Sequence, residues 1–130
     1  MKKAFVIVAA LLVGPQAYAQ SDPSRAAIYY PSCLAAADIV QGKRPAADSP
    51  EASKQLTRAA LCFGAITAIM NLAPLFKPEF AVCPPDDAKP SPAQMIPVVV
   101  DLLKKHPEQM NSNFHQVAVS ALVAAWPCSK

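Results

Sequence analysis

Glycine is scarce: three residues in 130, one of them (Gly14) in the N-terminal apolar stretch. No glycine-rich phosphate loop, GxSxG element or HExxH element occurs, so the common signatures of phosphate binding, serine hydrolysis and zinc proteolysis are missing. No stretch alternates apolar and polar residues as a half-buried strand would, which argues against a sheet. No run of Lys or Arg exceeds two residues (Lys43-Arg44, Lys104-Lys105), and no aromatics interleave them. Nucleic-acid binding therefore has little support. The four cysteines form no CxxC pair, so the short-spaced ligand pairs of a structural zinc site are absent too. No metal, cofactor or catalytic group is expected.

What is present begins with an export signal. Lys2 and Lys3 form a charged start, Ala4 to Val13 an apolar run, and Ala17-Tyr18-Ala19 a small-x-small cleavage site. The run is too short to span a bilayer. No cysteine follows the cleavage site, which argues against a lipid anchor. Residues 1–19 are thus expected to be a signal peptide and residues 20–130 a single domain, periplasmic and free of the membrane after cleavage. Loss of Lys2 and Lys3 lowers the formal charge from +3 to +1. The remaining 111 residues (130 less 19) make a small domain with a thin core.

Thirteen of the 14 prolines lie in this mature part, mostly between apolar, alanine-rich stretches. The pattern predicts an all-α bundle of about four main helices in two hairpins. The first helix is expected over Ile28–Val40, restarted at Pro31 and ended at Gly42 as the C′ residue. Asp48 and Ser49 before Pro50-Glu51 mark the capped start of a second helix reaching Ala73, closed by Pro74. Leu75 to Pro90 reads as an irregular connection. Ser91 and Gln94 have capping-box spacing for a third helix ending at Lys104-Lys105, with Pro97 kinking it or delaying its start. In the fourth, Phe114, Val117, Ala118, Ala121, Leu122 and Ala125 share one face. Ala59 to Phe76 holds no charged residue over 18 positions. It reads as the buried central helix of the bundle, with part of its surface available for a dimer contact.

In an oxidising compartment an even set of cysteines implies disulfides, and four cysteines allow three pairings. Two sequential antiparallel hairpins favour Cys33–Cys62 and Cys83–Cys128. In the loop-entropy account such bridges contribute about 3.6 and 4 kcal/mol. A catalytic cysteine would leave an odd thiol behind. His106 at a helix end, His115 on a polar helix face and Asp86-Asp87 in a proline-rich loop read as capping or solvated groups. The connections Lys43–Ser49 and Pro84–Ser91 offer Lys43, Arg44, Asp86, Asp87 and Lys89 on proline-stiffened backbone, and these are the expected partner contacts.

Cys83-Pro84-Pro85, Gln94, Val98-Val99-Val100, Leu103, His106-Pro107-Glu108, Ala121-Leu122 and Ala125-Trp126-Pro127-Cys128 follow a recognisable order. With Cys33 and Cys62-Phe63-Gly64 upstream, the chain resembles the Tai-type periplasmic immunity family, whose members neutralise peptidoglycan amidases delivered by type VI secretion. The chain has Ala65 where the family carries an aromatic, and Asn111 where it carries a second histidine. The resemblance implies a disulfide-stapled helical scaffold, often homodimeric, that blocks the active-site cleft of a secreted amidase effector and needs no catalytic group. The rival reading is a small helical periplasmic stress chaperone of the acid-resistance kind. With nine acidic residues and no carboxylate cluster, the sequence offers no evident acid trigger.

Overall fold

The computed structural model describes residues 22–75, 78–84 and 90–128. Four α-helices, α1 (Ala26–Val40), α2 (Pro50–Leu72), α3 (Pro92–Lys105) and α4 (Phe114–Ala125), account for the fold. Short 3-10 turns over Ala73–Leu75, Pro78–Phe80 and Pro107–Asn111 connect them. Among the described residues there is no strand; the β-type pairings are isolated bridges, Arg25–Asn113 and Val82–Pro127. The expected all-α class, with two stapled hairpins, is what forms. No helix among the described residues is long and apolar enough to cross a membrane.

The helix starts follow their capping chemistry. The Ser49 hydroxyl accepts from the Ala52 N–H at 3.2 Å, with Pro50 in the first turn. At α3 the Gln94 side chain accepts from the Ser91 N–H at 3.0 Å. Asn113 Oδ1 accepts from His115 and Gln116 N–H groups at the start of α4. Two prolines lie within helices, Pro31 in α1 and Pro97 in α3. Each is the sixth residue of its helix, so the carbonyl it leaves without a donor belongs to Ala27 or Ala93. Both alanines are solvent-exposed, where water can replace the missing N–H. This is why α1 starts at Ala26 and α3 at Pro92, each running through its proline rather than starting after it.

The core gathers one stripe from each helix: Cys33, Ala36 and Ile39 of α1, Cys62, Ile66 and Ile69 of α2, Ile96, Val99 and Leu103 of α3, Phe114, Ala118 and Leu122 of α4. Tyr29 stacks on Phe114 at 4.2 Å between centroids, joining α1 to α4. The Cys33–Cys62 bridge is completely buried between α1 and α2, with Cα atoms 4.9 Å apart. The Cys83–Cys128 bridge ties the segment before α3 to the residues just after α4, again at 4.9 Å. Both expected pairings are therefore present.

Two expectations are corrected. The second helix is not buried all round. Its inner positions Ala52, Ala59, Cys62, Ala65, Ile66 and Ile69 are covered, whereas Leu56, Leu61 and Leu72 are exposed. Among the described residues nothing covers the far side of α2. Ala125, expected on the inner face of α4, is exposed because that helix ends there.

Candidate functional site

The α1–α2 connection begins where α1 ends. Gly42 has φ +76°, a left-handed turn that suits glycine; no atom stands within 4 Å of where its Cβ would sit, so backbone conformation alone selects it. Beyond it the chain folds back on the helix end. Arg44 Nε donates to the Ile39 carbonyl at 3.2 Å, and the Lys43 N–H to the Asp38 carbonyl at 2.8 Å. These bonds satisfy carbonyls that a helix C-terminus leaves open. Lys43 Nζ lies 3.7 Å from Asp38, and the Lys43 carbonyl accepts from the Gln55 amide at 3.1 Å. Lys43 and Arg44 are both exposed on this anchored turn. Lys43 also rims a mixed-charge hollow of about 280 Å³ between α1 and α3, which contains Asp38, Asp101 and Lys104.

Asp86, Asp87 and Lys89 lie outside the described residues, as does the expected export signal over residues 1–19. Of that second connection, Pro84 and Pro90 are half-buried and Ser91 is exposed.

A surface the expectations did not include lies between α2 and α4. An open apolar groove of about 710 Å³ is lined by Ala68, Ile69, Leu72, Phe80, His115, Gln116, Val119 and Ser120. Across the α4 ridge of Gln116 and Ser120 lies a second hollow of about 360 Å³, lined by hydrogen-bonding groups including His106, Gln109 and Ser112. The available signal was charge. Residues 59–76 and 112–129 contain no Asp, Glu, Lys or Arg, and their helices stand side by side on this face.

Little in the site's electrostatics points to chemistry. His106 caps α3, its N–H donating to the Leu102 carbonyl, and its ring Nδ1 lies 3.0 Å from Glu108. The Glu108 carboxyl is held below its ordinary range by its own backbone N–H and then by His106. The Asp22 carboxyl is lowered by the Ser24 N–H and then by the Ser24 hydroxyl. Both carboxylates are local turn anchors. His115 is exposed, edge-on to Tyr29 and Phe114 at 5.7 Å. Among the described residues no three His, Cys, Asp or Glu side chains gather as metal ligands, and the sulfurs of all four cysteines are in disulfides. The arrangement can present surfaces to another macromolecule: an anchored charged turn at one end, an uncharged grooved face along α2 and α4.

No curated protein and no solved structure matches the chain. The family described as Rap1a immunity proteins matches residues 25–128, from the residue before α1 through the last cysteine. With four helices and both disulfides inside that span, the chain belongs to the Rap1a immunity protein family.

Proposed function

We propose that this is a non-enzymatic periplasmic immunity protein that binds a peptidoglycan amidase delivered by type VI secretion and blocks its cleft. The observation that carries the reading is the family match across residues 25–128; the resemblance of the residue order from Cys83 to Cys128 to the Tai-type family supports taking an amidase as the target. Export through a cleaved signal at residues 1–19 would place the single domain of residues 20–130 in the compartment where such a toxin acts. That location suits a chain whose four cysteines are oxidised.

Inhibition of this kind needs a rigid scaffold and a preorganised protrusion, since ordering a loop on binding costs affinity. The turn bearing Lys43 and Arg44 is already fastened to α1 and α2 through Ile39, Asp38 and Gln55. We assign it to the amidase contact together with Asp86, Asp87 and Lys89 of the second connection. The homodimer that the resemblance implies would use the exposed side of α2 past Arg58, around Leu61, Gly64 and Ala68.

Periplasmic co-expression with type VI amidases tests the reading. The protein should restore growth against its cognate amidase, and Lys43→Glu/Arg44→Glu should weaken rescue while leaving the far-UV spectrum unchanged. Failure to rescue against any amidase, combined with suppression of client aggregation at low pH, would establish the chaperone reading instead.

A further inference from the structure

The two disulfides differ in their surroundings. Cys33 and Cys62 are fully buried and link two helices that already pack along their length. Cys83 is exposed and Cys128 half-buried, and neither lies in a helix. Apart from this bridge, the backbone joins Pro78–Pro84 to the end of α4 through the isolated Val82–Pro127 pairing and one hydrogen bond, from the Cys83 N–H to the Trp126 carbonyl at 2.9 Å. The same segment carries Phe80, half exposed, which lines the α2–α4 groove with Ile69, Leu72 and Val119.

We propose that Cys83–Cys128 is a redox-labile clasp that holds Phe80 against the α2–α4 groove, and that a dithiol opens it while the core stays folded. Thiolate access is a main determinant of which bridge exchanges first, and only this one includes an exposed cysteine. One thiolate of the dithiol attacks Cys83 Sγ, and Cys128 leaves as a thiolate and takes up a proton. The second thiol of the reductant, once deprotonated, then displaces Cys83 from the mixed disulfide. The reductant ends as a disulfide and the protein as two thiols, two electrons having passed to the bridge. Cys33–Cys62 remains, because a thiolate reaches it only if α1 and α2 separate. With the clasp open, Phe80 is freed from the groove and the apolar lining of α2 and α4 is uncovered.

The test uses the full mature chain, titrated with dithiothreitol, alkylated and peptide-mapped, with far-UV circular dichroism, binding of an apolar dye and Trp126 emission followed in parallel. Trp126 is the only tryptophan in the sequence and stands two residues from Cys128, so it reports on the clasp. Cys83 and Cys128 should be labelled at roughly tenfold lower dithiol than Cys33 and Cys62. Helix content should hold, Trp126 emission should shift and dye fluorescence should rise severalfold. Oxidised Phe80→Ala should bind dye at the level of the reduced wild type and show no further rise on reduction. The Cys83→Ser/Cys128→Ser pair should reproduce the open state without reductant. Opening of both bridges at one dithiol concentration, loss of helix with the first bridge or in the serine variant, or clasp reduction without a dye response would each overturn the proposal.

Discussion

The Ser32 hydroxyl bonds two backbone groups of α2 that stand one helical turn apart. It donates to the Arg58 carbonyl and accepts from the Cys62 N–H at 2.9 Å, four residues apart in α2. A buried serine of α1 thereby fastens the hairpin beside the Cys33–Cys62 bridge. Ser32→Ala removes both bonds, but Arg58 and Cys62 can close on each other, so the cost should be one net hydrogen bond, about 1 kcal/mol. That corresponds to a fall in Tm of about 4 °C. Ser32→Val offers no hydrogen bond and adds a methyl against the same backbone, so it should cost clearly more. Thermal denaturation of the two variants checks the order, and equal Tm values would show that the hydroxyl is not part of the joint. No sequence pattern announces this contact, because nothing marks a serine as facing the backbone of another helix.

At the scale of elements, the fourth helix shows what periodicity can and cannot carry. Phe114, Val117, Ala118, Ala121 and Leu122 recur at helical spacing against polar neighbours, and all five are buried. Leu122→Asp should therefore cost about 4 kcal/mol or more, by burying an unpaired carboxylate. Gln116→Asp, on the exposed side, should stay within about 0.5 kcal/mol. Chemical denaturation separates the two cases, and comparable midpoints would mean that the face is assigned wrongly. The second helix failed the same kind of reading because it lacks contrast. Ala60, Leu61, Gly64 and Ala68 are exposed, yet they are as uncharged as the buried Ala59, Cys62 and Ile66. Helix ends were legible at Ser49 and Ser91, where a side chain belongs to the cap, and at Gly42, where a left-handed backbone ends α1; the Asn113 cap of α4 went unread. Pro31 and Pro97 were ambiguous, since the tolerance of each depends on whether the carbonyl it orphans meets water. The Lys43–Arg44 turn was visible as polar and proline-flanked, but its fastening to Ile39 and Gln55 depends on tertiary placement. The groove on α4 was hidden because His115, Gln116, Val119 and Ser120 acquire a common surface only beside α2 and Phe80.

Across the whole molecule, the separation of a charged turn from an uncharged face suits a protein that binds others, and acid behaviour tests the main rival. The carboxyls of Asp22 and Glu108, the two shifted acids among the described residues, titrate below their ordinary range and are exposed. A lowered folded-state value means that their support is complete above the ordinary carboxylate range and is lost only as pH falls through the lower one. Tm and helix content should hold from neutral pH to roughly pH 5 and decline only below roughly pH 4. Dye binding that begins well above that window would instead favour an acid-triggered chaperone. The central claim, that this scaffold neutralises an amidase, is tested most directly by titrating the purified mature protein into type VI-delivered amidases while following muropeptide hydrolysis. The account predicts that one amidase loses activity in proportion to added protein until the two reach equal molar amounts, with Lys43→Glu/Arg44→Glu shifting the curve to higher concentration. Undiminished hydrolysis across all amidases at large molar excess, with no complex on size-exclusion chromatography, would contradict it.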